Sequence, residues 1–143
     1  MYLGASFRIG VPVFYNIFSF GIRTFSSERI HRFSYGIGTD IGLSETSSLQ
    51  IELHSTNLRK TWKWENYKLD LLNELRFTLG TNLGSRLQLF AGPVLYNQTY
   101  HDKPGEGITG ADISGWTMHE HRWDNYVSKW WIGARGGMRL RLE

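Results

Sequence analysis

From Phe33 to Leu43 the chain alternates without a break. Phe33, Tyr35, Ile37, Thr39, Ile41 and Leu43 fall on one side, and Arg32, Ser34, Gly36, Gly38, Asp40 and Gly42 on the other. A two-residue period of this length belongs to a β-strand, whose successive side chains point to opposite faces; a helix cannot produce it. The pattern recurs. Leu49, Ile51 and Leu53 oppose Gln50, Glu52 and His54, and Leu69, Leu71, Leu75, Phe77 and Leu79 oppose Lys68, Asp70, Glu74, Arg76 and Thr78, with Leu72 and Asn73 as exceptions. Leu87, Leu89, Ala91, Pro93 and Leu95 alternate less cleanly with Arg86, Gln88, Phe90, Gly92, Val94 and Tyr96. Trp130, Ile132, Ala134, Gly136, Met138 and Leu140 oppose Trp131, Gly133, Arg135, Gly137, Arg139 and Arg141, and Leu3, Ala5, Phe7, Ile9 and then Phe18, Phe20, Ile22 behave alike.

The pattern predicts an all-β fold with seven strands, near 2–10, 15–25, 32–44, 47–57, 67–80, 85–98 and 126–142. Several are longer than the five or six residues usual in globular sheets. Consecutive strands with short links are most simply antiparallel neighbours in an up-and-down meander. Short links carrying turn residues fall at 11–14, 45–46 and 81–84, and longer ones at 26–31, 58–66 and 99–125. Short turns at one end and long loops at the other are the asymmetry of outer-membrane barrels.

Composition narrows the class. The 143 residues suffice for a single domain, 1–143, and hydrophobic residues at 41% exclude a disordered chain. No apolar run of about 20 residues exists, which excludes a helical membrane span. The absence of Cys removes disulfides, thiol nucleophiles and Cys-based zinc sites. The net charge of +3 raises the question of nucleic acid, but no basic run exceeds Arg59-Lys60, so no nucleic-acid partner is expected.

Periodicity alone does not say which face is buried. In a soluble barrel the apolar side points inward, whereas in a membrane barrel it meets lipid and the polar side fills the lumen. Three features favour lipid. The polar face is rich in glycine (Gly36, Gly38, Gly42, Gly92, Gly133, Gly137), which would make room for long Arg and Glu side chains in a narrow interior. It carries both charge signs, so that Asp40, Glu52, Asp70, Glu74, Arg76 and Arg135 are expected to pair in a luminal network, an unpaired buried charge being very costly. And aromatics crowd the long-loop ends (Trp62, Trp64, Tyr67, Tyr96, Tyr100, Trp123, Tyr126, Trp130), as an interfacial belt would require.

In strand length, alternation and loop asymmetry the chain resembles the small outer-membrane barrels of the OmpA/OmpX type, and loosely the short barrels common in Bacteroidetes. The resemblance implies a transmembrane barrel of about eight strands in the bacterial outer membrane, with a side-chain-filled lumen, no cofactor, and outer-membrane lipid, lipopolysaccharide or another outer-membrane protein as partners. Seven strands is an odd number for such a barrel and puts Met1 at the long-loop side. The expectation is therefore a further strand before Met1, or a different division of the first 25 residues. The ending Arg139-Leu140-Arg141-Leu142-Glu143 also lacks the aromatic terminus usual in the group.

Candidate chemistry is sparse. His54-Ser55-Thr56-Asn57 loosely resembles the His-x-Ser-Asn motif of outer-membrane lipid A deacylases, with Thr56 in the nucleophile's position; His54 would activate it and Glu65 would orient the His. His119 and His121, two apart in the longest link, could offer nitrogen ligands to a divalent metal, but with no Cys or helical spacing beside them the reading preferred is solvated loop polarity, and no metal is expected. No phosphate-binding or dinucleotide fingerprint occurs. The mixture of cations and rings in Lys60, Trp62, Lys63 and Trp64, joined by Trp116 and Trp123, suits a surface that grips phosphates or glycans. The leading expectation is a structural or recognition role through long loops rather than catalysis. The alternatives are the deacylase-like hydrolase and a soluble calycin-like barrel binding a small apolar ligand.

Overall fold

The computed structural model describes residues 2–23, 30–59, 70–101 and 117–140. They form eight antiparallel strands and no helix: β1 (Tyr2–Val11), β2 (Phe14–Arg23), β3 (Ile30–Gly42), β4 (Ser47–Arg59), β5 (Asp70–Leu83), β6 (Leu87–His101), β7 (His119–Trp123) and β8 (Tyr126–Leu140). All belong to one sheet of order β1-β2-β3-β4-β5-β6-β8-β7. The seven long strands are those that the alternation predicts, shifted by a few residues at their ends.

Strand β7 is an addition. The link expected at 99–125 contains this five-residue strand, which turns at Asp124 (φ 48°) and Asn125 and pairs back on β8 through His119↔Trp130 and Trp123↔Tyr126. Its sequence, His-Glu-His-Arg-Trp, is polar on both sides and gives no alternation to read.

The short connections lie at one end of the sheet: 12–13, 43–46 and 84–86. Pro12 fixes one turn. In another, the Ser44 hydroxyl accepts the backbone N–H groups of Thr46 and Ser47 at 3.3 and 3.1 Å. Gly84 takes the left-handed conformation (φ 75°) that the third requires. Backbone bonds from Asp40 N to Pro12 O and from Asn82 N to Thr46 O, each 2.7 Å, tie neighbouring turns to one another. Between β5 and β6 the register is continuous except at Gly92 and Pro93, where no pairing is made. Proline cannot donate to the ladder, and a Cβ on Gly92 would lie 1.9 Å from the Phe77 carbonyl oxygen.

The sheet curls strongly. Arg8 on β1 reaches Glu52 on β4, and Arg139 on β8 reaches Gln50 on the same strand, so both flanks of the sheet meet over the concave face of β4. The sheet is not closed among the described residues, since β1 and β7 end the order and nothing pairs β1 with β8. The concave face is the polar one. Gln50, Glu52, His54, Thr56, Asp70, Glu74, Thr78, Gln88 and Gln98 are buried, with Ile17, Leu72, Val94 and Val127 among them. The convex face is apolar and exposed: Phe7 67%, Leu79 59%, Ile132 58%, Met138 72%. This is the reverse of a soluble protein's arrangement.

Candidate functional site

The centre of the concave face is built on β4, whose inward positions Gln50, Glu52, His54 and Thr56 follow from its two-residue period. Glu52 and His54 are each 2% exposed. The Glu52 carboxylate takes a bond from the Arg8 guanidinium and one from the Tyr15 hydroxyl at 3.0 Å, and it lies 3.6 Å from Arg76 Nη1. Arg76 on β5 donates from Nε to Glu74 at 2.7 Å, and Glu74 also receives Arg32 from β3 at 3.2 Å. Five strands thus converge on two carboxylates. Charges taken out of water are held only when each finds opposite charge and hydrogen bonds, as these do.

His54 Nε2 stands 3.0 Å from Glu52 Oε2 and 2.7 Å from Arg76 Nη1, and it can donate to the first or accept from the second, one at a time. Its Nδ1 is buried without a hydrogen-bond partner among the described residues.

Two further layers flank this centre. Toward the short turns, Gln50 donates to Asp40 at 3.0 Å and to Gln88 at 3.2 Å, and Arg139 donates to the Gln50 and Gln88 side-chain oxygens at 3.1 and 3.0 Å. Toward the long links, Gln98 donates to Asp70 at 2.8 Å, and Tyr96 stacks on Trp131 with ring centroids 5.1 Å apart. A cleft of about 1110 Å³ opens into the interior between the two sheet flanks, with Arg8 and Tyr15 on one side, Arg135 and Arg139 on the other, and Glu52 and Arg76 on its floor.

The residues expected in a luminal network divide in two. Glu52, Glu74 and Arg76 form its centre, while Asp40 accepts from Gln50 and Asp70 from Gln98. Arg135 lies over the Phe90 ring at 5.1 Å and has no carboxylate within ion-pair distance among the described residues. Four of the six polar-face glycines lie against rings and not against Arg or Glu chains, while Gly92 meets backbone and Gly42 nothing within 4 Å. A Cβ on Gly38 would lie 2.6 Å from the Tyr15 ring, on Gly36 3.2 Å from the His54 ring, on Gly133 2.9 Å from Tyr96 and on Gly137 3.0 Å from Phe90. Arg86 sits exposed in a turn and faces no interior.

The aromatic belt needs a similar correction. Tyr96 and Tyr100 share the parity of the buried Gln98 and point inward, whereas Trp123 and Trp130 are exposed. Trp123 lies beside Tyr126 and His121, with centroids 6.3 and 5.5 Å apart. Lys60, Trp62, Lys63, Trp64, Glu65 and Trp116 lie outside the described residues. His119 and His121 are exposed on β7, and among the described residues no group of three or more His, Asp or Glu comes together as a metal centre would require. The Thr56 hydroxyl is 2.8 Å from that of Ser34 and completely buried, and no bond joins it to His54 among the described residues.

Tyr15, Gln50, Gln88 and Gln98 are the interior participants that sequence reasoning passed over. Gln50 stands in phase with Glu52 and His54 on β4, and that phase was the available signal for it; β6 has no charged position to mark Gln88 and Gln98. On the convex face one polar row interrupts the apolar rows: Ser55, Asn73 and Asn97 are cross-strand neighbours, Asn73 donating to Asn97 at 3.4 Å and Asn97 to Ser128 at 2.8 Å. Comparison with protein-family models, curated proteins and solved structures finds nothing that matches this chain.

Proposed function

We propose that the chain is a small β-barrel of about eight strands that spans the bacterial outer membrane, with an interior filled by its own side chains. Its role is structural or recognitive, exercised through the long connections at one end, with outer-membrane lipid and lipopolysaccharide as its surroundings.

The observation that carries this reading is the inversion of burial. Charged and amide side chains fill the concave face, while the apolar rows of the seven long strands lie exposed among the described residues. In water an apolar surface of that extent would drive aggregation; against acyl chains it is the required face. The row Ser55, Asn73, Asn97, Ser128, with Tyr126 and Trp130 beside it, suits the level of the lipid headgroups.

The calycin-like alternative calls for an apolar interior, and the deacylase-like alternative for a hydroxyl within reach of His54. The interior here is polar, and Thr56 is engaged by Ser34.

The test is electrophoretic and optical. The chain folded in detergent should migrate as a compact band in unheated SDS and shift on boiling, and brominated lipids should quench its tryptophan emission. A chain that is monodisperse without detergent, with no shift and no quenching, would overturn the reading.

A further inference from the structure

Among the described residues two long strand edges face one another without pairing: β1 along Tyr2–Val11, and β8 beyond Trp130, where β7 no longer covers it. Because every neighbour in the order β1-β2-β3-β4-β5-β6-β8 is antiparallel, β1 and β8 run in the same direction. One strand antiparallel to both would complete both ladders, and unpaired backbone groups cannot face hydrocarbon.

The flanks specify that strand's chemistry. Outward, Phe7, Ile9 and Val11 on one side and Ile132 and Met138 on the other are exposed and apolar. Inward, Arg8 already has Glu52, but among the described residues Arg135 and Arg139 contact the Phe90 ring and, for Arg139, neutral amides, with no carboxylate at ion-pair distance. Half-buried guanidinium groups that no carboxylate touches directly are met best by carboxylates brought to ion-pair distance. A second copy of this chain fits poorly, because its own edges would bring Arg8, or Arg135 and Arg139, against these same cations.

We infer that the cleft between β1 and β8 is the seat of one extended peptide segment, antiparallel to both strands. Its outward side chains are apolar, and it carries carboxylates at two inward positions four residues apart that meet Arg135 and Arg139. The inference rests on the barrel reading above.

It is tested by refolding the 143-residue chain into phosphocholine vesicles with ten-residue synthetic peptides. These alternate Val or Leu with Ser, and carry Glu, Gln or Lys at the two inward positions. The Glu peptide should raise the SDS-resistant fraction at about tenfold lower concentration than the Lys peptide, the size of one desolvated charge contact. In the Arg135→Glu, Arg139→Glu variant that order should invert. Glu and Lys peptides acting alike, or no peptide acting at all, overturns the inference. Quenching by brominated lipid in the same samples separates the two failures. A chain that lipid reaches but that ignores the peptides refutes the strand alone; a chain that lipid never reaches refutes the barrel as well.

Discussion

Replacing Leu79 by Arg distinguishes an outward face in lipid from one in water. Leu79 is the middle residue of the row Leu75, Phe77, Leu79, Thr81, Leu83 along β5 and is 59% exposed. From Leu75 to Leu83 the strand rises ~26 Å at ~3.3 Å per residue, and a tilt of ~40° leaves ~20 Å along the membrane normal, close to the apolar band of known barrels. Leu79 therefore lies about 10 Å from either end of the row, near the midplane. There an arginine costs about 2–4 kcal/mol, falling to about 0–1 kcal/mol near the interfaces, where Leu83 lies. On a water-facing strand both substitutions would change stability by less than about 0.5 kcal/mol. The assay is urea unfolding from phosphocholine vesicles, followed by tryptophan emission, comparing Leu79→Arg with Leu83→Arg and reading the shift in midpoint at unchanged slope. A Leu79→Arg chain no less stable than Leu83→Arg would refute the reasoning.

Other consequences can be measured on the same material. Glu52→Gln keeps the shape of the side chain but leaves Arg8 and Arg76 facing a neutral amide. It should cost about 2–3 kcal/mol, discounted from a fully buried pair because Arg8 is a quarter exposed, and adding Arg8→Met should recover part of the loss. Gly92→Ala drives a methyl against the Phe77 carbonyl, a backbone atom that cannot turn aside, and should abolish the SDS-resistant band; Gly42→Ala, with nothing near its Cβ, should leave it intact. Thr56→Ala removes one hydroxyl bond to Ser34 and should cost about 1 kcal/mol. Incubated with labelled lipid A, neither that variant nor the parent chain should release fatty acid; release by the parent, lost in the variant, would favour the hydrolase reading.

How much of this was legible in the sequence depended on range. The strands were legible because each separates two different media, so its period is written residue by residue. Where the inward face itself carries apolar groups, as at Ile17, Leu72, Phe90, Val94 and Trp131, the alternation blurs, and β6 was correspondingly the weakest strand to read. The identity of each ion pair was not legible, because partners meet across the curl: Arg8 and Glu52 are 44 positions apart, Arg139 and Gln50 are 89. Tyr96 and Tyr100 were expected outside because height along the strand was weighed above parity, and parity decides direction. The cleft is a product of curvature, which no local pattern encodes.

The turns of two to four residues at one rim have a consequence for how such a molecule can be approached. Val13, Leu43 and Leu83 sit at or beside those turns and are exposed, so greasy surface continues to the tips. In the proposed setting the three short turns on that flank offer little for a binding protein to hold. Connections of six, ten and seventeen residues leave from the opposite rim, and β7 stands there with Trp123. If the chain sits in a bilayer as proposed, these longer connections are the part left for a partner to meet, like the head of a peg standing proud.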